Sequence, residues 1–163
     1  MKTLRILAIA CAAALAATAF AQTPSPFAGF KSKMKEGMYD YKMEMDMGQV
    51  PGMPPGMGKQ SHTMQHCLKH EDIDKGGLSK GRDGKGMPEN CKIENMKMSG
   101  NTASYTMECT KPQKMTVDAD LTFGDGMFTM KQKMAMDQNG QVMNMNSTMT
   151  GKYLGPCTAA PKK

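Results

Sequence analysis

Residues 115–153 read MTVDADLTFGDGMFTMKQKMAMDQNGQVMNMNSTMTGKY. Met115, Val117, Ala119, Leu121 and Phe123 alternate with Thr116, Asp118, Asp120 and Thr122, which is the period of a strand with one buried face. Asp125-Gly126 follows and reads as a two-residue type I′ hairpin turn, both positions of which need positive φ. Pairing Gly124 with Met127 across it sets Phe123 opposite Phe128, Leu121 opposite Met130, Val117 opposite Met134 and Met115 opposite Met136. Asn139-Gly140 is a second turn of the same kind. It sets Met136 opposite Met143, Met134 opposite Met145 and Met130 opposite Met149. Each turn independently keeps the apolar residues on one face, and a slip of one residue would send them to the other.

Working outward toward the N-terminus, Cys91 to Cys109 reads as another hairpin. Ala103, Tyr105, Met107 and Cys109 share a face. A three-residue turn at Ser99-Gly100-Asn101 pairs Met98 with Thr102, and the same register puts Cys91 opposite Cys109 and Ile93 opposite Met107. Facing residues of an antiparallel pair are close enough for a disulfide. With Cys11 set aside in the N-terminal stretch that reads as a cleaved address, four of the five cysteines remain; of their three possible pairings, Cys91–Cys109 is therefore favoured, which leaves Cys67–Cys157. Further back, Tyr39, Tyr41, Met43, Met45 and Met47 alternate with Asp40, Lys42, Glu44 and Asp46 in a first strand. Gly48 to Gly58, with Pro51, Pro54 and Pro55, cannot continue a ladder and reads as a loop. Residues 60–68 form a weakly amphipathic second strand. The connection from Lys69 to Glu89 is charged and Gly-rich, with one helical turn near Glu71 to Lys75. The fold class is thus all-β, about seven antiparallel strands in meander order, a curved sheet or small barrel with two disulfides.

The first residues read as an address. Lys2 and Arg5 form a positive n-region, Ile6 to Ala17 an apolar stretch, and Ala19-Phe20-Ala21 an A-x-A cleavage site. Cys11 invites a lipoprotein reading, but Ala8 stands where a lipobox wants a branched aliphatic. The expected organisation is a signal peptide over 1–21, a flexible leader over 22–36, one β domain over 37–157 and a disordered tail over 158–163. A periplasmic location follows, with release from the cell as the alternative. No other apolar run approaches the ~20 residues of a spanning helix.

The net charge of +6 is interspersed apart from Lys75, Lys80, Arg82 and Lys85. That basic loop could meet an anionic surface or lipopolysaccharide, and a solvated loop is the simpler reading. Nucleic acid is not an expected partner, because basic and aromatic residues do not interleave. Methionine is the anomaly: 21 Met and no Trp. Beyond residue 21 only four Leu, two Ile and three Val occur.

Several stretches together resemble the bacterial exported proteins grouped as domain-of-unknown-function family 3617. They are Gly37-Met38-Tyr39-Asp40, Met43-Glu44-Met45, Pro51-Gly52-Met53-Pro54, His66-Cys67-Leu68 with Glu71-Asp72, and Cys91 with Cys109. The chain then closes on Gly151-Lys152-Tyr153-Leu154-Gly155-Pro156-Cys157, the most specific piece. Tyr39 stands where the family usually opens with tryptophan. The resemblance implies an exported single-domain β protein whose activity is not established, and it supplies no catalytic residues.

Enzyme chemistry is not expected. Nucleophilic catalysis needs Ser or Cys beside His with an orienting acid, yet the histidines are confined to His62, His66 and His70 and the cysteines are used in disulfides. Metal binding is the sharper candidate, since thioether sulfur selects Cu(I) or Ag(I) over harder ions. The candidate ligands are Met43, Met45 and Met47, Met53 and Met57 in the Pro/Gly loop, and His62 with Met64. Met134 and Met136 facing Met143 and Met145 offer the same donors, but they alternate in register with Leu121, Phe123 and Phe128 and so read as core. No other cofactor is expected. A small non-enzymatic binding or envelope-associated module, with an apolar ligand or an envelope partner, is the leading expectation. Soft-metal binding is the alternative, and a methionine oxidant sink a second one.

Overall fold

In a computed structural model, the description covers residues 25–48, 58–75, 90–138 and 140–157. The apolar alternation of the sequence becomes seven strands: β1 Gly37–Asp46, β2 Lys59–Leu68, β3 Cys91–Ser99, β4 Thr102–Cys109, β5 Met115–Gly124, β6 Met127–Gln138 and β7 Gln141–Gly155. They form one antiparallel sheet in the order β2-β1-β7-β6-β5-β4-β3. β3 to β7 are a meander. The β1–β2 hairpin is then laid against β7, so the second partner of β1 is the last strand rather than its chain neighbour. β2 and β3 each have a single neighbour, and the sheet is open rather than a barrel.

The registers expected from both turns hold. Gly124 pairs Met127, Phe123 pairs Phe128 and Met115 pairs Met136; Met136 pairs Met143 and Met130 pairs Met149. The turn type differs at Asp125-Gly126. Gly126 has φ 66°, but Asp125 is not left-handed, so the turn is not type I′. Asn139 lies outside the described residues, while Gly140 has φ 85° and Gln138 pairs Gln141.

The β3–β4 hairpin keeps its expected register at one end only. Cys91 pairs Cys109 and Ile93 pairs Met107, but Met98 pairs Ala103 and Ser99 pairs Thr102. The turn is therefore two residues, Gly100-Asn101, not three. The extra residue sits in a bulge between Glu94 and Lys97, where Asn95 takes the left-handed φ of 54°. A bulge places two residues against one on the partner strand. Ile93 and Met96, three apart, thereby both pack against the core, which strict alternation forbids.

Residues 25–36, expected within a flexible leader, are folded onto the sheet. A 3-10 helix, Ala28–Ser32, carries Phe30 at 0% exposure, with Phe27 and Met34 buried beside it. Phe30 meets Phe123 at 5.3 Å between ring centroids, and Phe27 meets Tyr105 at 5.4 Å. The segment is polar on average, but its few apolar side chains all point one way. α1, His70–Asp74, adds Ile73 to the same cluster. It lies near the start of the connection from β2 to β3, which must pass from one edge of the sheet to the other, about 29 Å across six strand spacings. Both disulfides join the expected pairs: Cys67–Cys157 with Cα atoms 5.5 Å apart, and Cys91–Cys109 at 4.0 Å.

Candidate binding face

The inner face of the sheet divides into two halves. In the half under the 3-10 helix and α1, Tyr39, Tyr41, Leu121, Phe123, Phe128, Met130 and Met149 are all buried. A polar row follows, in which Ser147 Oγ donates to Gln132 Oε1 at 3.0 Å. Beyond it the face continues in two more rows. Met145, Met134, Val117, Met107 and Ile93 form one, running from β7 to β3. Met143, Met136, Met115, Cys109 and Cys91 form the next. Every member but Val117 and Ile93 carries sulfur. All six methionines of these rows are only half-buried, although Val117 and Cys109 between them are buried.

The expectation that Met115, Met134, Met136, Met143 and Met145 are core therefore needs correcting. They lie on the core face, as their register requires, but on the part the helical segments do not reach. Met130 and Met149, on the same two hairpins, are buried in the core cluster that includes Phe30. What separates the two groups is how far along the strand each residue lies.

The other candidate ligands fall on the β1–β2 edge or outside the described residues. Met43 faces His62 and is packed against the core cluster. Met45 faces Gln60, and Met64 faces Tyr41 with 55% exposure. Met47 lies just past the end of β1 and is half-buried. Met53 and Met57 lie outside the described residues, as do Lys80, Arg82 and Lys85. His62 is exposed, whereas His66 stacks near Tyr41 at 6.3 Å and His70 Nε2 lies 3.0 Å from the Met34 carbonyl oxygen. The three histidines thus have separate surroundings. Among the described residues, no group of three or more His, Cys, Asp or Glu side chains is placed to hold a metal ion. Nor is any described helix long and apolar enough to cross a membrane.

A hollow of about 510 Å³ lies beside the end of β1, the start of β2 and the middle of β7, next to the methionine rows. Its lining includes Glu44, Asp46, Lys59 and Asn146 beside Met45, so it is an open polar groove rather than an apolar cavity. Burial pushes the Tyr105 phenol, which borders the polar row, up to about 12, with a hydrogen bond to Gln132 pulling the other way. Tyr41 is raised further, again by burial first.

Residues 34–157 match the family described as Protein of unknown function (DUF3617). The chain belongs to that family. No curated protein and no solved structure matches it. Of the DUF3617 motifs met along the sequence, those of β1, the end of β2 and the C-terminal end of β7 gather at one corner of the sheet, whereas Cys91 and Cys109 pair on β3 and β4 toward the opposite edge, and Pro51 to Pro54 lie outside the described residues. Gly37 pairs Leu68, Tyr39 pairs His66 on one side and Tyr153 on the other, and Tyr41 pairs Gly151. Tyr39 and Tyr153 meet edge to face at 5.5 Å, and the Cys67–Cys157 bond closes the corner. These motif residues build the junction between the first hairpin and the last strand. The methionine rows lie at the opposite end of β6 and β7, and what marks them is residue type and incomplete burial rather than a motif.

Proposed function

We propose that this DUF3617 chain is an exported, periplasmic, non-enzymatic binding module whose recognition surface is the methionine-rich half of the sheet's inner face. The observation that carries the reading is the partition of that face. Aromatic and aliphatic side chains fill the half beneath the described helical segments, and half-buried methionines fill the half those segments do not cover. Methionine is unbranched and polarizable and adapts to irregular partners, which suits a surface that must hold a guest. Two disulfides and a sequence opening like a signal peptide support export to an oxidising compartment.

The test is the fluorescence of anilinonaphthalene sulfonate, an apolar probe, with the purified oxidised protein. Saturable enhancement that disappears in Met136→Glu, at the centre of the face, and survives in Met127→Glu, on the opposite face, is expected. Loss in Met127→Glu alone, or no enhancement at all, would overturn the reading. Export is tested separately by the mass of protein isolated from the native host, expected to begin near Gln22. A chain retaining Met1 would contradict it.

A further inference from the structure

Resting on that binding face, we infer that Met134, Met136, Met143 and Met145 form a binding site for a soft monovalent metal ion, Cu(I) or Ag(I). The four residues occupy a rectangle on two adjacent strands. Met134 faces Met145 and Met136 faces Met143. Facing Cα atoms lie about 5 Å apart and same-face neighbours along a strand about 6.6 Å apart, so the centre is about 4 Å from each Cα in the plane of the sheet. A methionine side chain has three rotatable bonds before its methyl group, and all four sulfurs can meet above that centre. Met115, facing Met136 from β5, stands next to the rectangle as a fifth donor.

Three observations favour an ion over simple packing. The thioethers are concentrated where solvent reaches the face; the covered half holds mainly ring and branched side chains. The four cysteines of the described chain are tied in disulfides, so thiolate does not compete. No group of carboxylates and imidazoles able to hold a metal occurs among the described residues, so the donor set is thioether alone. Such a set is too soft for Zn(II), Ca(II) or Cu(II) and suits Cu(I) and Ag(I). Binding exchanges the ion's existing ligands for neutral sulfur, with no proton released and no change of oxidation state.

The absence of a proton to lose separates this site from the β1–β2 edge, where His62 faces Met43. A site that uses imidazole competes with protons for its ligand. Binding by four thioethers keeps its strength.

The experiment is an anaerobic titration of the oxidised mature protein with Cu(I) against a competing chelator, repeated with Ag(I). It is read by the methyl resonances of isotope-labelled methionine. Saturable binding is expected to shift the methyls of Met134, Met136, Met143 and Met145 and to be equal at neutral and mildly acidic pH. Replacing these four by Leu should weaken it by about tenfold or more, whereas replacing Met43, Met45, Met47 and Met64 should not. Should the fourfold variant fail to fold, Met136→Leu and Met143→Leu singly must each weaken binding. Shifts confined to the β1–β2 edge, affinity falling with imidazole protonation, or no binding would overturn the metal site. If probe binding to the face persists in that event, the binding-face reading stands and only the metal falls; if both fail, both fall.

Discussion

Gly151 on β7 faces Phe128 on β6, and the Phe128 ring occupies the space that a side chain at position 151 would need. Tyr41 completes the arrangement from the other side. It pairs with Gly151 across β1 and β7, and its ring meets that of Phe128 edge to face at 5.9 Å. Gly151→Ala must therefore push a fully buried ring aside. A loss of about 1–3 kcal/mol is expected, the usual range for overpacking, measured as a lower urea midpoint with unchanged slope.

The docked N-terminal segment makes a contrast with the exposed surface. Phe30 is fully buried, while Met127 is 51% exposed. Phe30→Ala should lower stability by about 3–5 kcal/mol through the cavity it leaves. Met127→Ala should stay within about 0.5 kcal/mol. Equal effects in thermal or denaturant melts would contradict the docking of residues 25–36 on the sheet.

The disulfides should differ in weight. Cys67–Cys157 closes a sequence separation of 90 residues and Cys91–Cys109 one of 18. On the chain-entropy account, removing the first as a Cys-to-Ser pair should lower stability by about 4.6 kcal/mol and the second by about 3.2 kcal/mol. Denaturant melts of the two double variants give the order directly.

Alkaline pH should unfold the protein through its buried phenols. Tyr105 is pushed up to about 12 and Tyr39 and Tyr41 are also raised, by burial in each case. A phenol whose folded pKa lies above the unfolded value near 10 contributes stability that is intact below about pH 10. That contribution is lost as pH rises, through about 12 for Tyr105. The urea midpoint should thus be level into mild alkali and fall beyond it. In Tyr105→Phe the fall should be shallower, and an identical slope would remove Tyr105 from the account.

How far the fold was legible follows from where local signals act. The Asn139-Gly140 and Asp125-Gly126 dipeptides sit between strands of clear alternation, so two turns set the register of β5, β6 and β7 without help from the rest of the chain. The hairpin from Cys91 was legible at its disulfide end, but nothing in Glu94-Asn95-Met96-Lys97 announces a bulge. That bulge is selected by the packing of Ile93 and Met96 on the same core. The placement of β1 beside β7, and of β2 and β3 at opposite edges of the sheet, depends on contacts distant in sequence. The docking of Phe27, Phe30 and Met34 was hidden by a segment polar on average.

The methionine face was half legible. Register alone puts Met134 opposite Met145 and Met136 opposite Met143 and assigns them to the core side. Their exposure depends on how far the 3-10 helix and α1 extend over the sheet, a tertiary property with no local signature. Met115 joins them by the same register, whereas Met107 joins only once β4 is paired with β5.

The methionine face is best tested by the spectrum of isotope-labelled methionine methyl groups with and without anilinonaphthalene sulfonate. Shifts are expected at Met107, Met115, Met134, Met136, Met143 and Met145, with the buried Met34, Met130 and Met149 and the outward-facing Met127 unmoved. Shifts at Met64 and Met127 with the methyls of those six methionines unchanged would contradict it and place recognition elsewhere on the sheet.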